Sequence, residues 1–497
     1  MESRTEHPST PYTTLGHRWG NEKFTILTSE TIGYFQSGVD FDDFPATFKD
    51  AMEVTRQLGF EYIWIDCFCI IQEVTDWANE APQMSEVYSS GILNIGAAHS
   101  NGPTGGCFAS RGELSLEARP LYVNWRNPKD RQLRLSTLRP RTEKYDFDGW
   151  DIGEAPISKR ACVVQERHLC TGMLYYGRTQ LYWKCRSSGN VNELWPDPQP
   201  KPPQHPSSEG PGPGTFHLEL NQASLAERRT IAGQLWTAAL TEFTECALSV
   251  ASDKLPAIQG IADRISELSA SPYTNGVFAF SLPKSLCWEN AYHTSAKLRD
   301  YRWRAPSWSW ASVEGVIRYL TDSLLPESGE LLACVLAPTG PALVCIGKLF
   351  AIVEEDAGES PIYNPLEKRF SVEGHVGALD HIHTLFEDLT EEASHESGAR
   401  RFCLPLYGIT NYLEVLYTKP TWPIGRVRDE DSQCVHVVYC LALARNGDGT
   451  YRRIGVCRMF FISTPPSSNP YASKIRAPDL HWSKGTRFEF LQAIVIV

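Results

Sequence analysis

The 497-residue chain lacks the features that define several classes of protein. No unbroken apolar run approaches the ~20 residues of a membrane-spanning helix, because Pro338, Gly340 and Lys348 interrupt the most apolar stretch, 331–353. The polar start, 1–10, has no apolar segment of the kind found in secretory signals. We therefore expect a soluble, cytoplasmic protein that binds no membrane.

Basic residues are also in the minority, and metal-binding cysteine patterns are missing. The 47 Lys and Arg against 59 Asp and Glu give a net charge of −12, which argues against a nucleic acid partner. The 14 cysteines include no C-x-x-C pair, and only Cys67 and Cys69 are close in sequence. We therefore expect reduced thiols and no metal centre.

The N-terminal region alternates between helical and strand patterns. Apolar spacing predicts one helix between Pro45 and Gly59 and a second helix around Glu80. The predicted strands are the apolar runs 12–15, 62–66 and 92–98. The run 62–66 is continuous enough to predict a strand buried on both faces. This order of elements predicts an α/β fold with right-handed crossovers and a parallel sheet.

The remaining chain changes character twice. Two apolar runs, 121–125 and 132–138, predict a hairpin, and eight prolines fall between Pro196 and Pro213. Helical patterns then give way to strand patterns separated by turn residues. We expect an α/β domain at 1–190, a Pro- and Gly-rich linker or exposed excursion at 191–216, a helical segment at 217–318 and a β-rich module at 319–497.

Ionisable side chains follow the predicted strands. They are His17, Arg18 and the adjacent Trp19 after the first strand, Asp66, Cys67 and Cys69 after the second, and His99 after the third. The carboxyl ends of parallel strands meet at one edge of a sheet, where ligands bind. We expect a binding or catalytic site there. In an extended chain, Cys67 and Cys69 would share a face.

Each of these residues also has a purely structural explanation. His17 can be a hydrogen-bonded turn residue, and Arg18 can pair with any nearby carboxylate. Asp66 can cap the following turn. Glu80 can be a helix N-terminal carboxylate held by backbone N–H groups. Cys67 can act as a nucleophile only if a base such as His17 lies within hydrogen-bonding reach.

Three blocks of the sequence carry a family resemblance. The first is YTTLGHRWG at 12–20, the second runs from FPATFKDA at 44–51 through YIWIDCFCIIQE at 62–73, and the third is RACVVQER at 160–167. Together they resemble the heterokaryon incompatibility (HET) domain of fungal proteins, and the match reaches residue 185. At two positions, Gly16 and Cys67, the family prefers Ser, and at Cys162 it prefers Trp.

The resemblance implies a function in nonself recognition between fungal strains and in cell-death signalling. It also implies a TIR-like, flavodoxin-like α/β domain. Some TIR domains cleave NAD with a helix-borne Glu, which makes Glu80 the candidate here. NAD would then be a substrate, with His17, Asp66 and Cys67 as further catalytic candidates. Arg18, Trp19, Cys69 and His99 are the candidates for substrate binding.

Two other functions stay open at this point. Because HET genes also occur beside fungal secondary-metabolite clusters, the resemblance allows a biosynthetic enzyme that uses His17, Arg18, Asp66 and Cys67 on a small organic substrate. The missing hydroxyls and the proline-rich segment allow a non-catalytic interaction module instead. The expected partner is accordingly a protein or a small-molecule substrate, and self-association into a homo-oligomer stays open.

Overall fold

A computed structural model of the chain describes part of its length. The described residues are 10–73, 80, 83–110, 121–126, 133–138, 152–178, 180–185, 189–192, 223–248, 250–290, 305–320, 333–336, 342–347, 350–355, 369–372, 381–387, 401–412, 434–463 and 492–496. The chain divides into two compact units. The first comprises 1–222 with 238–265, and the second comprises 223–237 with 266–497.

The first unit contains a six-stranded sheet and a separate two-stranded hairpin. Its strands are β1 (Tyr12–Gly16), β2 (Tyr62–Trp64), β3 (Leu93–Gly96), β4 (Leu121–Arg126), β5 (Leu133–Leu138), β6 (Gly172–Tyr176), β7 (Leu181–Cys185) and β8 (Gly189–Asn192). The sheet order is β2-β1-β3-β6-β7-β8. The pairs β1–β2, β1–β3 and β3–β6 are parallel, whereas β6–β7 and β7–β8 are antiparallel. The expected α/β fold with parallel strands is confirmed.

Seven α-helices are described. They are α1 (Ile32–Gln36), α2 (Ala46–Gln57), α3 (Asp66–Cys69), α4 (Met84–Ser90), α5 (Ala161–Leu169), α6 (Leu225–Glu245) and α7 (Gln259–Ser269). Helix α2 confirms the predicted helix, because Phe48, Ala51 and Val54 bury one face at helical spacing. It begins after Pro45 and is followed by Gly59, whose φ of +85° suits a residue without a Cβ.

Short 3-10 helices complete the helical elements of the described chain. They span Phe41–Asp43, Pro156–Lys159, Ala251–Lys254, Pro256–Ile258, Ala279–Ser281, Lys284–Leu286 and Trp310–Ser312. Residues 74–79 and 81–82, which belong to the second predicted helix, lie outside the described part of the chain. So do residues 193–222, which hold the proline-rich segment.

The region around Asp66 departs from expectation in two ways. The prediction of a strand buried on both faces is wrong, because β2 is the edge strand and Tyr62, Ile63 and Trp64 are each partly exposed. Asp66 begins helix α3 directly afterwards, so Cys67 and Cys69 are not in the extended conformation in which they would share a face. In the helical turn Cys67 is buried while Cys69 is exposed.

The second unit is rich in β-strands, as expected for the C-terminal region. Its strands are β9 (Tyr273–Thr274), β10 (Val277–Phe278), β11 (Trp288–Asn290), β12 (Ile317–Tyr319), β13 (Ala333–Leu336), β14 (Leu343–Gly347), β15 (Phe350–Glu355), β16 (Arg369–Val372), β17 (His381–Glu387), β18 (Arg401–Tyr412), β19 (Cys434–Arg445), β20 (Tyr451–Ser463) and β21 (Gln492–Ile496). Nine of them form one sheet, ordered β13-β14-β21-β20-β17-β16-β15-β18-β19. Its buried core includes Trp308, Leu441 and Val456.

Within the described residues, no helix has both the length and the apolar composition needed to cross a bilayer.

Candidate functional site

The strand ends of the first sheet bring three ionisable residues together. His17 follows the last residue of β1 and is 2% exposed, and Asp66 begins the helix after β2. Parallel pairing of these strands places the two ends side by side. His17 Nδ1 lies 3.7 Å from Asp66 Oδ1, and one polar atom from each of His17, Asp66 and Cys67 lies within 4.8 Å of the others. We call these three residues the triad.

The carboxylate of Asp66 is held in place from two sides. Its Oδ1 accepts the backbone N–H of Cys67 at 2.7 Å, and its Oδ2 accepts the indole N–H of Trp19 at 3.0 Å. The Trp19 ring also stacks on the imidazole of His17 with 6.4 Å between ring centroids, while Phe48 meets that imidazole edge-on at 5.0 Å. The triad is therefore fixed by aromatic packing and by hydrogen bonds.

A fourth charged residue comes from the third sequence block. Arg160, the residue before helix α5, donates a hydrogen bond from Nη1 to the backbone carbonyl of His17. Burial lowers the pKa of His17, and the positive charge of Arg160 lowers it further, against the opposing effect of Asp66. The imidazole is therefore neutral at physiological pH. Its Nε2 is buried and has no hydrogen-bond partner among the described residues.

Helix α5 adds a buried carboxylate to this edge. Glu166 is 4% exposed, and its burial raises its pKa to about 7, with a smaller contribution from Asp66 and an opposing one from Arg160. The hydroxyl of Tyr88 donates to this carboxylate, and the side chain of Asn94 lies beside it. Oε2 of Glu166 has no hydrogen-bond partner in the described structure. A carboxyl group of this kind exchanges a proton near neutral pH.

The thiols at the site are protonated at neutral pH. Burial raises the pKa of Cys67 well above its ordinary value, and the nearby Asp66 raises it further. Burial also raises the pKa of Cys162, although Arg160 opposes that shift. Because a thiolate is the nucleophilic form of cysteine, this environment does not favour Cys67 as a nucleophile.

Apart from Trp19, none of the other predicted site residues has a described hydrogen bond to a triad side chain. Arg18 is exposed and donates from Nη1 to Asn101 Oδ1 at 3.4 Å. Nδ1 of His99 is 3.2 Å from the carbonyl of Tyr176, at the end of β6. The described hydrogen bonds of the remaining two are local: Cys69 Sγ accepts the N–H of Ile65, and Glu80 Oε1 accepts the side-chain amide of Gln83 at 3.4 Å. Of the eight predicted residues, His17, Trp19, Asp66 and Cys67 come together.

Sequence reasoning missed Glu166 and Arg160 as site residues. Both belong to the block RACVVQER, which carries the family resemblance but whose residue pattern predicts only a helix. A glutamate on a helix usually faces solvent. One sequence signal could have indicated their burial: α5 has apolar residues on more than one face. Three of them, Ala161, Val163 and Leu169, are buried in the structure. A charged residue on such a helix must also be buried and requires a partner.

These features define an α/β domain with a cluster of ionisable side chains at the carboxyl edge of its parallel strands. Residues 12–166 match the family of the heterokaryon incompatibility protein (HET). Residues 12–166 are therefore a HET domain, and this match places that domain in the context of fungal heterokaryon incompatibility. No curated protein and no solved structure matches the chain.

Proposed function

We propose that the chain acts in nonself recognition and cell-death signalling, and that its HET domain cleaves the bond between nicotinamide and ribose in NAD. The observation that carries this proposal is the buried carboxylate of Glu166. Its Oε2 has no hydrogen-bond partner in the described structure, and it interacts electrostatically with Asp66 of the triad. The parallel strands flanked by helices agree with the TIR-like fold that the family resemblance implies. We include in the proposal that the HET domain has a TIR-like fold.

The chemistry of the bond suits a single carboxylate. When the bond breaks, nicotinamide leaves as a neutral molecule and positive charge develops on the ribose ring. A nearby carboxylate stabilises that charge and can accept a proton from the attacking water. The products are nicotinamide, ADP-ribose and one proton. Ionised Glu166 fits this role, and the exposed guanidinium of Arg18 would bind a phosphate of the dinucleotide.

Two glutamates compete for the catalytic role. Glu80 is the candidate that the family analogy suggests, but its described side-chain contact is with Gln83 and not with the triad. Glu166 is also borne by a helix, and both Asp66 and Arg160 influence its pKa. The proposal therefore assigns the reacting carboxylate to Glu166 and keeps Glu80 as the alternative to be tested in the same experiment.

The test is nicotinamide release from NAD by the purified full-length chain. Wild type and Glu80→Gln should release nicotinamide, and Glu166→Gln should release none while its thermal unfolding stays cooperative. Glu61→Gln, which alters an exposed glutamate of the same domain, is the matched control. Loss of release in Glu80→Gln alone would assign the role to Glu80. A wild-type protein that releases no nicotinamide would contradict NAD cleavage altogether.

The convergence of His17, Asp66 and Cys67 favours a second candidate function. A histidine beside a carboxylate and a thiol can bind and polarise a small organic substrate, as a biosynthetic enzyme of secondary metabolism would require. Deleting the gene should then cause a metabolic intermediate to accumulate. An unchanged metabolite profile, together with no NAD cleavage, would leave the non-catalytic interaction module as the explanation.

A further inference from the structure

The triad has the composition of a metal site that the cysteine spacing in the sequence does not reveal. We propose that His17, Asp66 and Cys67 bind one zinc ion at the carboxyl edge of β1 and β2. The proposal is independent of NAD cleavage, because it concerns the presence of a metal ion and not a reaction.

The distances within the triad fit tetrahedral coordination. Zinc lies about 2.0–2.2 Å from nitrogen and oxygen ligands, so a nitrogen and an oxygen ligand of one tetrahedron are about 3.3–3.6 Å apart. His17 Nδ1 and Asp66 Oδ1 are 3.7 Å apart, which is beyond a hydrogen bond and slightly wider than that separation. All three ligand atoms lie within 4.8 Å of one another, so a shift of about 1 Å in the Cys67 side chain completes the set.

The burial of the triad distinguishes it from a chance surface cluster. His17 and Cys67 are buried, and the Asp66 side chain is 14% exposed. The Nε2 atom of His17 has no hydrogen-bond partner in the described structure, so hydrogen bonds do not account for the burial of this imidazole. Coordination through Nδ1, the ring nitrogen nearest Asp66, would give the buried imidazole a polar partner, and Nε2 would then carry the ring proton.

Hydrogen-bond donors and aromatic rings surround the triad, and groups of this kind orient the ligands of known metal sites. Carboxylate ligands are usually hydrogen-bonded on their remaining lone pairs. Asp66 accepts the indole N–H of Trp19 and the backbone N–H of Cys67, and the second of these bonds fixes the start of helix α3. Phe48 and Trp19 enclose the imidazole and keep water from it.

The ligand types select zinc over harder cations. One thiolate, one imidazole and one carboxylate are suited to zinc, whereas magnesium and calcium prefer sites made of oxygen ligands. The positive charge of Arg160, which contacts the His17 carbonyl, opposes a cation. The charges of Asp66 and of the Cys67 thiolate formed on binding outweigh it. Three protein ligands leave the fourth position for water or a substrate atom.

Zinc content of the full-length chain tests the site. The chain is treated with a chelator, exchanged into buffer, titrated with zinc chloride and measured by mass spectrometry of the bound metal. Wild type should retain one zinc ion per chain. Cys67→Ser and Asp66→Asn should each bind it at least about 100-fold more weakly, because even outer-shell changes weaken metal sites by 10–100-fold.

A matched thiol variant controls for the other cysteines. Cys107 is buried in the same domain and is not part of the triad, so Cys107→Ser should bind zinc as tightly as wild type. Titration of wild type with cobalt(II) adds a measurement that does not depend on a variant's folding. It should give a thiolate-to-cobalt charge-transfer band that Cys107→Ser retains.

Two results would overturn the proposal. One is a wild-type chain that retains no zinc and shows no cobalt–thiolate band. The other is zinc binding that Cys67→Ser and Asp66→Asn leave unchanged, which would place the ion at other residues.

Discussion

Gly16, at the end of β1, leaves room for the carboxylate of Glu166 because it has no Cβ atom. A Cβ atom on residue 16 would lie 2.6 Å from Glu166 Oε2 and 3.5 Å from Asn94 Oδ1. The HET domains that this sequence resembles usually have Ser at the position of Gly16. A serine hydroxyl there would face the carboxylate, whereas the glycine leaves Oε2 of Glu166 without a partner in the described structure. The departure at residue 16 therefore changes the environment of Glu166.

The first prediction concerns substitution of this glycine. Gly16→Ala should destabilise the protein by about 1–3 kcal/mol, because its methyl group overpacks the space beside Glu166. Gly16→Ser should cost less, because its hydroxyl can donate to the carboxylate after Glu166 shifts slightly, and it should lower the pKa of Glu166. Urea unfolding at pH 7 measures the difference. If Gly16→Ala and Gly16→Ser lowered the free energy of unfolding equally, the role assigned to the serine hydroxyl would be contradicted.

The second prediction concerns pH. The pKa of Glu166 is raised from 4.5 to about 7 in the folded state, so between these values the folded chain binds more protons than the unfolded chain. The stability that this group contributes is therefore greatest at low pH and is lost as pH rises through 7. The loss amounts to as much as about 3 kcal/mol. Urea midpoints from pH 5 to 8 should fall less steeply in Glu166→Gln than in wild type. If the urea midpoints of the two proteins changed in parallel with pH, the raised pKa of Glu166 would be contradicted.

The third prediction concerns an ion cluster within the first unit. Glu242 on α6 accepts a hydrogen bond from Arg167 and lies 2.7 Å from His168 Nε2, both on α5. These two groups, against an opposing effect of burial, lower the pKa of Glu242 to about 2. Its stabilisation is thus fully present above pH 4.5 and is lost as pH falls through 2.

Replacing Glu242 should leave the Arg167 guanidinium partly buried without its carboxylate. Because the Glu242 side chain is 28% exposed, we expect Glu242→Gln to lower the free energy of unfolding at pH 7 by about 2 kcal/mol, less than for a fully buried pair. Glu245→Gln changes an exposed glutamate on the same helix and should alter stability by less than about 0.5 kcal/mol. Urea unfolding compares the two, and similar effects would contradict the assignment.

The fourth prediction concerns a buried arginine in the second unit. Arg453 on β20 is 2% exposed, its guanidinium carbon lies 3.3 Å from the ring centroid of Trp288, and its Nη2 donates to the Trp288 carbonyl at 2.6 Å. Lysine cannot reproduce a planar group that stacks and donates at once. Arg453→Lys should therefore cost about 2–4 kcal/mol, measured by tryptophan fluorescence during urea unfolding. Arg452→Lys, at the partly exposed neighbour, should change little.

Local patterns were sufficient where a structure depends on neighbouring residues. The spacing of Phe48 and Ala51 together with Pro45 and Gly59 predicts helix α2, because one turn of helix buries its face at a period of 3.6 residues. The alternation of strands and helices likewise predicts a parallel sheet, because a crossover helix returns the chain to the same edge. These predictions need no knowledge of which distant residues pair.

Predictions failed where the answer depends on pairing between distant segments. The run containing Tyr62 and Trp64 is apolar enough for a central strand, yet the sheet order places it at an edge. Glu166 was not predicted as a site residue for the same reason, because it is far in sequence from Gly16, the residue that it approaches. Its helical pattern alone gives no sign that the space beside it belongs to β1.

Sequence patterns are enough to establish the classes of element, the HET resemblance and the candidates His17 and Asp66. They are enough because periodicity and short motifs are local properties of a chain. The packed fold was needed to show that Cys67 and Trp19 join those two residues, that the described hydrogen bonds of Arg18, His99 and Glu80 go elsewhere, and that Glu166 approaches from α5. Distances, burial and pKa shifts arise when segments remote in sequence are packed together and water is excluded between them.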